Sequence, residues 1–126
     1  MNRLTGLLLV TIAIVSLAQT MRAQDAVKTD PKHHEVVFEN DTVRVLRITY
    51  GPHEKSVMHE HPNSIAVLLT DQSARFTTPD GKTDESTGKA GDAGWAPASK
   101  HLPENLADKV FDMILVELKP KMSKAK

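Results

Sequence analysis

From Glu35 to Lys119 the chain is a succession of short β-branched runs broken by turn signals, and no stretch keeps a helical period. That punctuation constrains the fold more than any other feature of the sequence. "EVVFEN" and "DTVRVLRITY" are joined at Asn40-Asp41, residues suited to turn conformations. In the second run Val43, Val45 and Arg47 fall on one side, and Arg44, Leu46 and Ile48 on the other. "GPHEK" turns, "SVMHEH" reads as extended, and "SIAVLLT" is apolar enough for a buried strand. "ARFTTP" runs into the hairpin signal Asp80-Gly81. "TDESTGKAGD" is polar, with Gly88 and Gly91 as breakers, and "AGWAPA" is a further short strand. "KVFDMILVELK", residues 109–119, is rich in Val, Ile and Phe and reads as a buried strand ending before Pro120. Strands at this spacing predict an all-β sandwich or barrel.

The ends of the chain read differently. "MNR" followed by "LTGLLLVTIAIVSLA" and the small residues of "SLAQTMRAQ" has the layout of a secretory signal peptide. The apolar run is shorter than the roughly 20 residues a spanning helix needs. Residues 1–23 are therefore expected to be a leader cut after Ala18 or after Ala23, which places the protein in a periplasm or in the medium, off the membrane. Residues 24–34, "QDAVKTDPKHH", read as a flexible lead-in, residues 35–119 as the barrel, and 120–126 as a disordered basic tail. His33 and His34 fall in the lead-in and are assigned no role.

Composition narrows the chemistry. The whole chain of 126 residues has 16 basic and 16 acidic side chains, and the leader removes Arg3 and Arg22 and no acid, leaving a charge of −2. A nucleic-acid binder would carry a basic excess, and one Trp, one Tyr and three Phe are too few for base stacking. There is no cysteine, so no disulfide and no thiolate nucleophile or ligand. A metal here must be held by imidazole, carboxylate, amide or water.

His59 and His61 in "VMHEHPNS" are an i, i+2 pair, which a strand turns to one face. Two imidazoles at that spacing can chelate one divalent ion once a third group joins them. The same pair alone is equally readable as two surface histidines. "GDAGWAPASKHLPEN" then holds Gly91, Pro97, His101 and Asn105.

At these residues the chain resembles the cupin superfamily. That family has a first motif of glycine, five residues, H-x-H, three or four residues, glutamate, six residues and glycine. Its second motif is a glycine, five residues, P-x-G, two residues, histidine, three residues and asparagine. "HEH", Gly91-x5-Pro97 and His101-x3-Asn105 are similar to it, over about Val36 to Lys119. The first-motif glycine falls at His53, the glutamate at Ile65 or Ala66, the closing glycine at Gln72, and the second-motif P-x-G glycine at Ser99, one residue too close to His101. The resemblance implies a small double-stranded β-helix, or jelly-roll barrel. It implies a divalent transition metal held by His59, His61 and His101, with the acidic ligand lost. Three imidazoles suit zinc, iron, copper or nickel. The implied function is a metal-dependent enzyme, dioxygenase-like or acting as a Lewis acid on a small-molecule substrate; the alternative is a non-catalytic cupin that binds or senses a metal or ligand. The resemblance also makes a homodimer plausible.

His53, Glu54, Asn63, Glu104 and Glu117 are the candidates to replace the missing acid, with Glu104 also placed to orient a ligand. Glu117 faces solvent if Val116 and Leu118 face the core. Trp95 is expected in the core, and Arg44, Arg47 and Arg75 on a solvated outer face.

Overall fold

The computed structural model describes residues 24–121. The expected leader, and the tail from Met122 on, lie outside the described residues. Nine strands follow one short helix: α1 (Ala26–Thr29), β1 (His34–Glu39), β2 (Val43–Tyr50), β3 (His59–His61), β4 (Ser64–Leu68), β5 (Gln72–Thr77), β6 (Thr83–Gly88), β7 (Ala93–Ala96), β8 (Ser99–Asn105) and β9 (Phe111–Leu118). They form a five-stranded sheet in the order β1-β2-β9-β4-β7 and a four-stranded sheet in the order β3-β8-β5-β6. Every strand pair is antiparallel. This is the all-β double-sheet barrel that the strand spacing predicts. No helix among the described residues is long and apolar enough to cross a membrane.

The core follows from period-two alternation at the centre of the larger sheet. On β2 and β9 the pairs Leu46–Leu115, Ile48–Met113 and Tyr50–Phe111 stand directly opposite on the inner face. Leu46, Ile48, Tyr50, Phe111 and Leu115 are buried, together with Leu68 from β4. Burying each large apolar side chain is worth about 1.5–3 kcal/mol. The same alternation carries Arg44 and Glu117, the next pair along, to the inner face as well. The β5–β6 hairpin closes at Thr78–Lys82, where Gly81 adopts φ +83°, a conformation that side chains with a Cβ rarely take.

Two strands lie where the sequence reading marks none. β6 occupies the polar stretch after Asp80-Gly81. It is the outer strand of the smaller sheet and its side chains are mostly exposed, so it needs no apolar alternation. β8 contains Pro103, which removes a backbone donor and hides the strand pattern.

The expected flexible lead-in is corrected. Asp25 caps α1 by accepting from Lys28 N, Ala26 is fully buried, and His34 opens β1 opposite Ile48. Asp30 is buried and accepts hydrogen bonds from Ser56 Oγ and His33 Nδ1. Polar residues built into a hydrogen-bonded interior look, in sequence, like polar residues in a tail. Trp95 is likewise not in the core. It is 58% exposed, paired with the exposed Ile65 on the outer face of β7 and β4.

Candidate metal centre

His59 and His61 sit on β3 and both are buried, while Glu60 between them faces away from their side. β3 pairs with β8 so that His59 stands opposite His101. The three expected histidines therefore come together. Ring centroids are 4.8 Å apart for His59–His61, 5.1 Å for His59–His101 and 5.5 Å for His61–His101.

A fourth ring joins them. His34, from the opposite sheet, lies with its centroid 4.7 Å from His59 and 5.6 Å from His61. One ring nitrogen from each of His34, His59 and His61 lies within 4.8 Å of the other two. His101 is not a member of that closest set. Nothing in the spacing of the sequence marks His34; the only signal is that it directly precedes a β-branched run, so that extending the strand by one residue turns it inward beside Ile48.

The hydrogen bonds determine which nitrogen His34, His59 and His61 present. His59 Nδ1 lies 2.8 Å from the Val57 carbonyl, and His34 Nδ1 lies 2.8 Å from the Asp30 carbonyl. A carbonyl only accepts, so each Nδ1 carries the proton and each Nε2 keeps its lone pair. Both Nε2 atoms are buried and have no hydrogen-bond partner. His61 Nδ1 donates to Glu117 Oε2 at 2.7 Å. His101 Nδ1 lies 3.2 Å from Ser99 Oγ. Anchoring Nδ1 on an acceptor is the usual way a protein orients a metal-binding imidazole.

The electrostatics suit lone-pair donors. Burial, reinforced by the neighbouring imidazoles, lowers His59 to about 3 and His101 to about 4. Burial also lowers His34. These rings are neutral at pH 7, the state in which imidazole binds a metal.

Among the proposed substitute acids only Glu117 reaches the cluster, and it is 2% exposed instead of solvated. Its other oxygen, Oε1, accepts from Arg44 Nε at 2.6 Å. Arg44, expected on a solvated face, also makes a two-pronged contact with Asp25 at 2.5 and 3.2 Å. Of the two positions available to the missing glutamate, Ile65 points outward and Ala66 lines the cavity, so only a methyl group stands there. Glu104 lines the cavity but lies 3.6 Å from Arg75. Glu54 accepts from His33 Nε2, Asn63 from Ala98 N, and the exposed His53 pairs with Asp108. Arg47 is half exposed and pairs with Asp112.

The cluster opens onto a cavity of about 240 Å³ between the sheets. Its wall is mostly apolar, with Ile48, Leu68, Phe76 and Phe111 prominent and no lysine or arginine among the described residues. The Tyr50 hydroxyl is buried there without a hydrogen-bond partner, and burial raises its pKa, so it stays a donor.

Fold and site together define a cupin-type double-stranded β-helix with a buried histidine cluster, an arrangement compatible with metal binding. No protein-family model matches the sequence, and no curated protein matches it. Solved structures do. A cupin domain from Bordetella pertussis superposes with a TM-score of 0.64 at 24% identity, over 69% of this chain and 92% of that one. An RmlC-like cupin from Methanocaldococcus jannaschii with a double-stranded β-helix fold gives 0.55 at 16% identity, over 68% and 77%. A conserved Klebsiella pneumoniae protein with a double-stranded β-helix domain gives 0.53 at 22%, over 70% and 84%. At these identities the likeness is one of fold, and function has to be argued from the site.

Proposed function

We propose that this chain binds one divalent transition metal through His59, His61 and His101 and brings it to a small molecule in the adjoining cavity. The observation that carries this reading is His59 Nε2, a fully buried lone pair without a partner, with the His61 and His101 rings 4.8 and 5.1 Å away. Leaving such an atom unpaired costs about 1–3 kcal/mol, which coordination to a cation would offset. All-imidazole ligation fits zinc, iron, copper or nickel.

A bound ion would act there as a Lewis acid on an oxygen or nitrogen of the ligand. The chain's own residues supply the rest. Val57 and Glu117 hold His59 and His61 in the tautomers that present Nε2. The apolar wall excludes water and favours a small, mainly apolar molecule. Tyr50 offers it one hydroxyl donor. With no lysine or arginine on the described wall, that wall gives a carboxylate no cationic partner.

Catalysis is the first form of this reading, a metal-dependent enzyme of dioxygenase or Lewis-acid type. A non-catalytic holder is the second, favoured because the one carboxylate on the described wall, Glu104, is engaged by Arg75. We place the protein outside the cytoplasm, delivered by residues 1–23. A mature chain beginning at Gln19 or Gln24 agrees with that placement, and a chain that retains Met1 and is recovered in the cytoplasmic fraction overturns it.

The deciding experiment is elemental analysis of protein purified without a nickel column, beside His59→Ala. About one equivalent of metal, lost in the variant, supports the reading. No metal in the parent, even after dialysis against zinc or ferrous iron, overturns it. Oxygen uptake and turnover across a panel of small molecules then separate enzyme from holder.

A further inference from the structure

We propose that His34 is the fourth imidazole ligand of this centre, and that residues 25–34 form the element that delivers it. The inference rests on the reading that the histidine cluster holds a metal.

Three observations converge on His34. It is almost fully buried, and one of its nitrogens belongs to the closest set of three with His59 and His61. Its Nδ1 is committed to the Asp30 carbonyl, so Nε2 is the free lone pair, and that atom is buried with no partner. A buried imidazole with nothing on its second nitrogen is an expensive arrangement for packing alone. The inward position where the cupin motif puts an acidic ligand is Ala66, whose methyl cannot coordinate. Glu117 does not take its place, because its two oxygens are engaged by His61 and Arg44. His34 is the remaining metal-binding side chain that the described structure brings against His59 and His61.

The segment before His34 is built to keep it there. Asp25 ties the start of α1 to Arg44, which in turn holds the carboxylate behind His61. Asp30 supplies the carbonyl that orients His34, and its carboxylate accepts from Ser56, whose hydroxyl lies 3.3 Å from His59 Nδ1. Ala26 is fully buried under the same turn. The N-terminal segment thus reaches His34 directly, His59 through Ser56, and His61 through Arg44 and Glu117. Three neutral nitrogens become four, with ligands drawn from both sheets.

The test uses the full gene product as it is exported, loaded with zinc or copper(II). X-ray absorption on the zinc form counts imidazoles, and the nitrogen couplings of the copper form count equatorial nitrogens independently. We expect four imidazoles in the parent and three in His34→Ala. Affinity should fall by more than the roughly 10–100-fold that losing an outer hydrogen-bond partner costs. Free imidazole should restore tight binding to His34→Gly. Should the alanine variant not fold, His34→Gln keeps an N–H for the Asp30 carbonyl. A count of three in a Gln variant with an unchanged near-ultraviolet spectrum supports the proposal equally. Unchanged affinity and ligand count in the His34 variants, with binding abolished in His59→Ala, overturns the fourth ligand and leaves the metal site standing. A parent that takes up no metal overturns both.

Discussion

Arg44 and Glu117 stand directly opposite each other on β2 and β9, both turned into the barrel, with the guanidinium Nε 2.6 Å from a carboxylate that is 2% exposed. Asp25 closes the pair from the N-terminal side. Replacing Arg44 by Met leaves two carboxylates facing an interior without a counter-charge. Breaking a buried pair in this way costs about 3–5 kcal/mol. The urea midpoint of Arg44→Met should drop accordingly, and the double variant Arg44→Met/Glu117→Leu should recover part of the loss. Equal midpoints for Arg44→Met and the parent would mean the pair is solvated.

Glu117→Gln separates orientation from stability. The amide keeps the shape but withdraws the negative charge from His61 Nδ1–H. Metal affinity should fall about 10–100-fold while the metal-free fold survives. Competition with a chelator of known affinity measures it.

Acid should weaken the metal-free protein well above the carboxylate range. Burial holds His59 and His101 at about 3 and about 4, below the unfolded value near 6.5. As pH falls through 6.5 the unfolded chain takes up protons that the folded chain refuses, so the unfolded state gains. The stability contributed by these neutral rings is complete above about pH 7 and is lost progressively down to their folded pKa values. On the order of 2–4 kcal/mol should go between pH 7 and 5. Denaturant midpoints in the presence of EDTA at pH 7, 6 and 5 test this. A flat profile would place the rings in water.

Ala66→Glu puts a carboxylate where the motif has one. Without metal the variant should be clearly less stable, since a buried charge lacks a partner. Added manganese, which favours oxygen ligands, should restore much of its melting temperature and do less for the parent. Differential scanning calorimetry with and without the ion gives the comparison.

Trp95 is the only tryptophan of the chain, and it lies outside the core. Its emission should resemble that of an indole in water and be quenched freely by acrylamide. Trp95→Ala removes one exposed cross-strand pair with Ile65 and should cost within about 1 kcal/mol.

The fold was readable because alternation and turn signals mark most of the strands that carry the core. The histidines on β3 and β8 were readable because spacing within a motif survives as text. The misreadings have separate causes. "FDMILVEL" is apolar on both faces, so its phase is ambiguous by one residue, and a one-residue change of phase turns every side chain over. Placing Val116 inward sends Glu117 to solvent; the register with β2 puts Leu115 and Glu117 inward instead. Arg44 was already grouped with Leu46 and Ile48, and its burial follows from that grouping once a buried partner is available. His34 was hidden because its neighbours are polar for structural reasons: Asp25 pairs with Arg44, while Asp30 and His33 pair with each other and with Ser56 and Glu54 respectively.

The histidines come from the first, third and eighth strands, and His34 faces the others from the opposite sheet. In a chain without cysteine, an ion gripped by all four would work as a cross-link, stapling the start of the domain to a strand near its end. Ordering so long a loop is entropically expensive, and a bond that closes it stabilises the folded chain most. Stripping the ion would then do more than silence a site: the first strand would be the piece that loosens, and exchange of its amide protons with solvent would be the earliest sign.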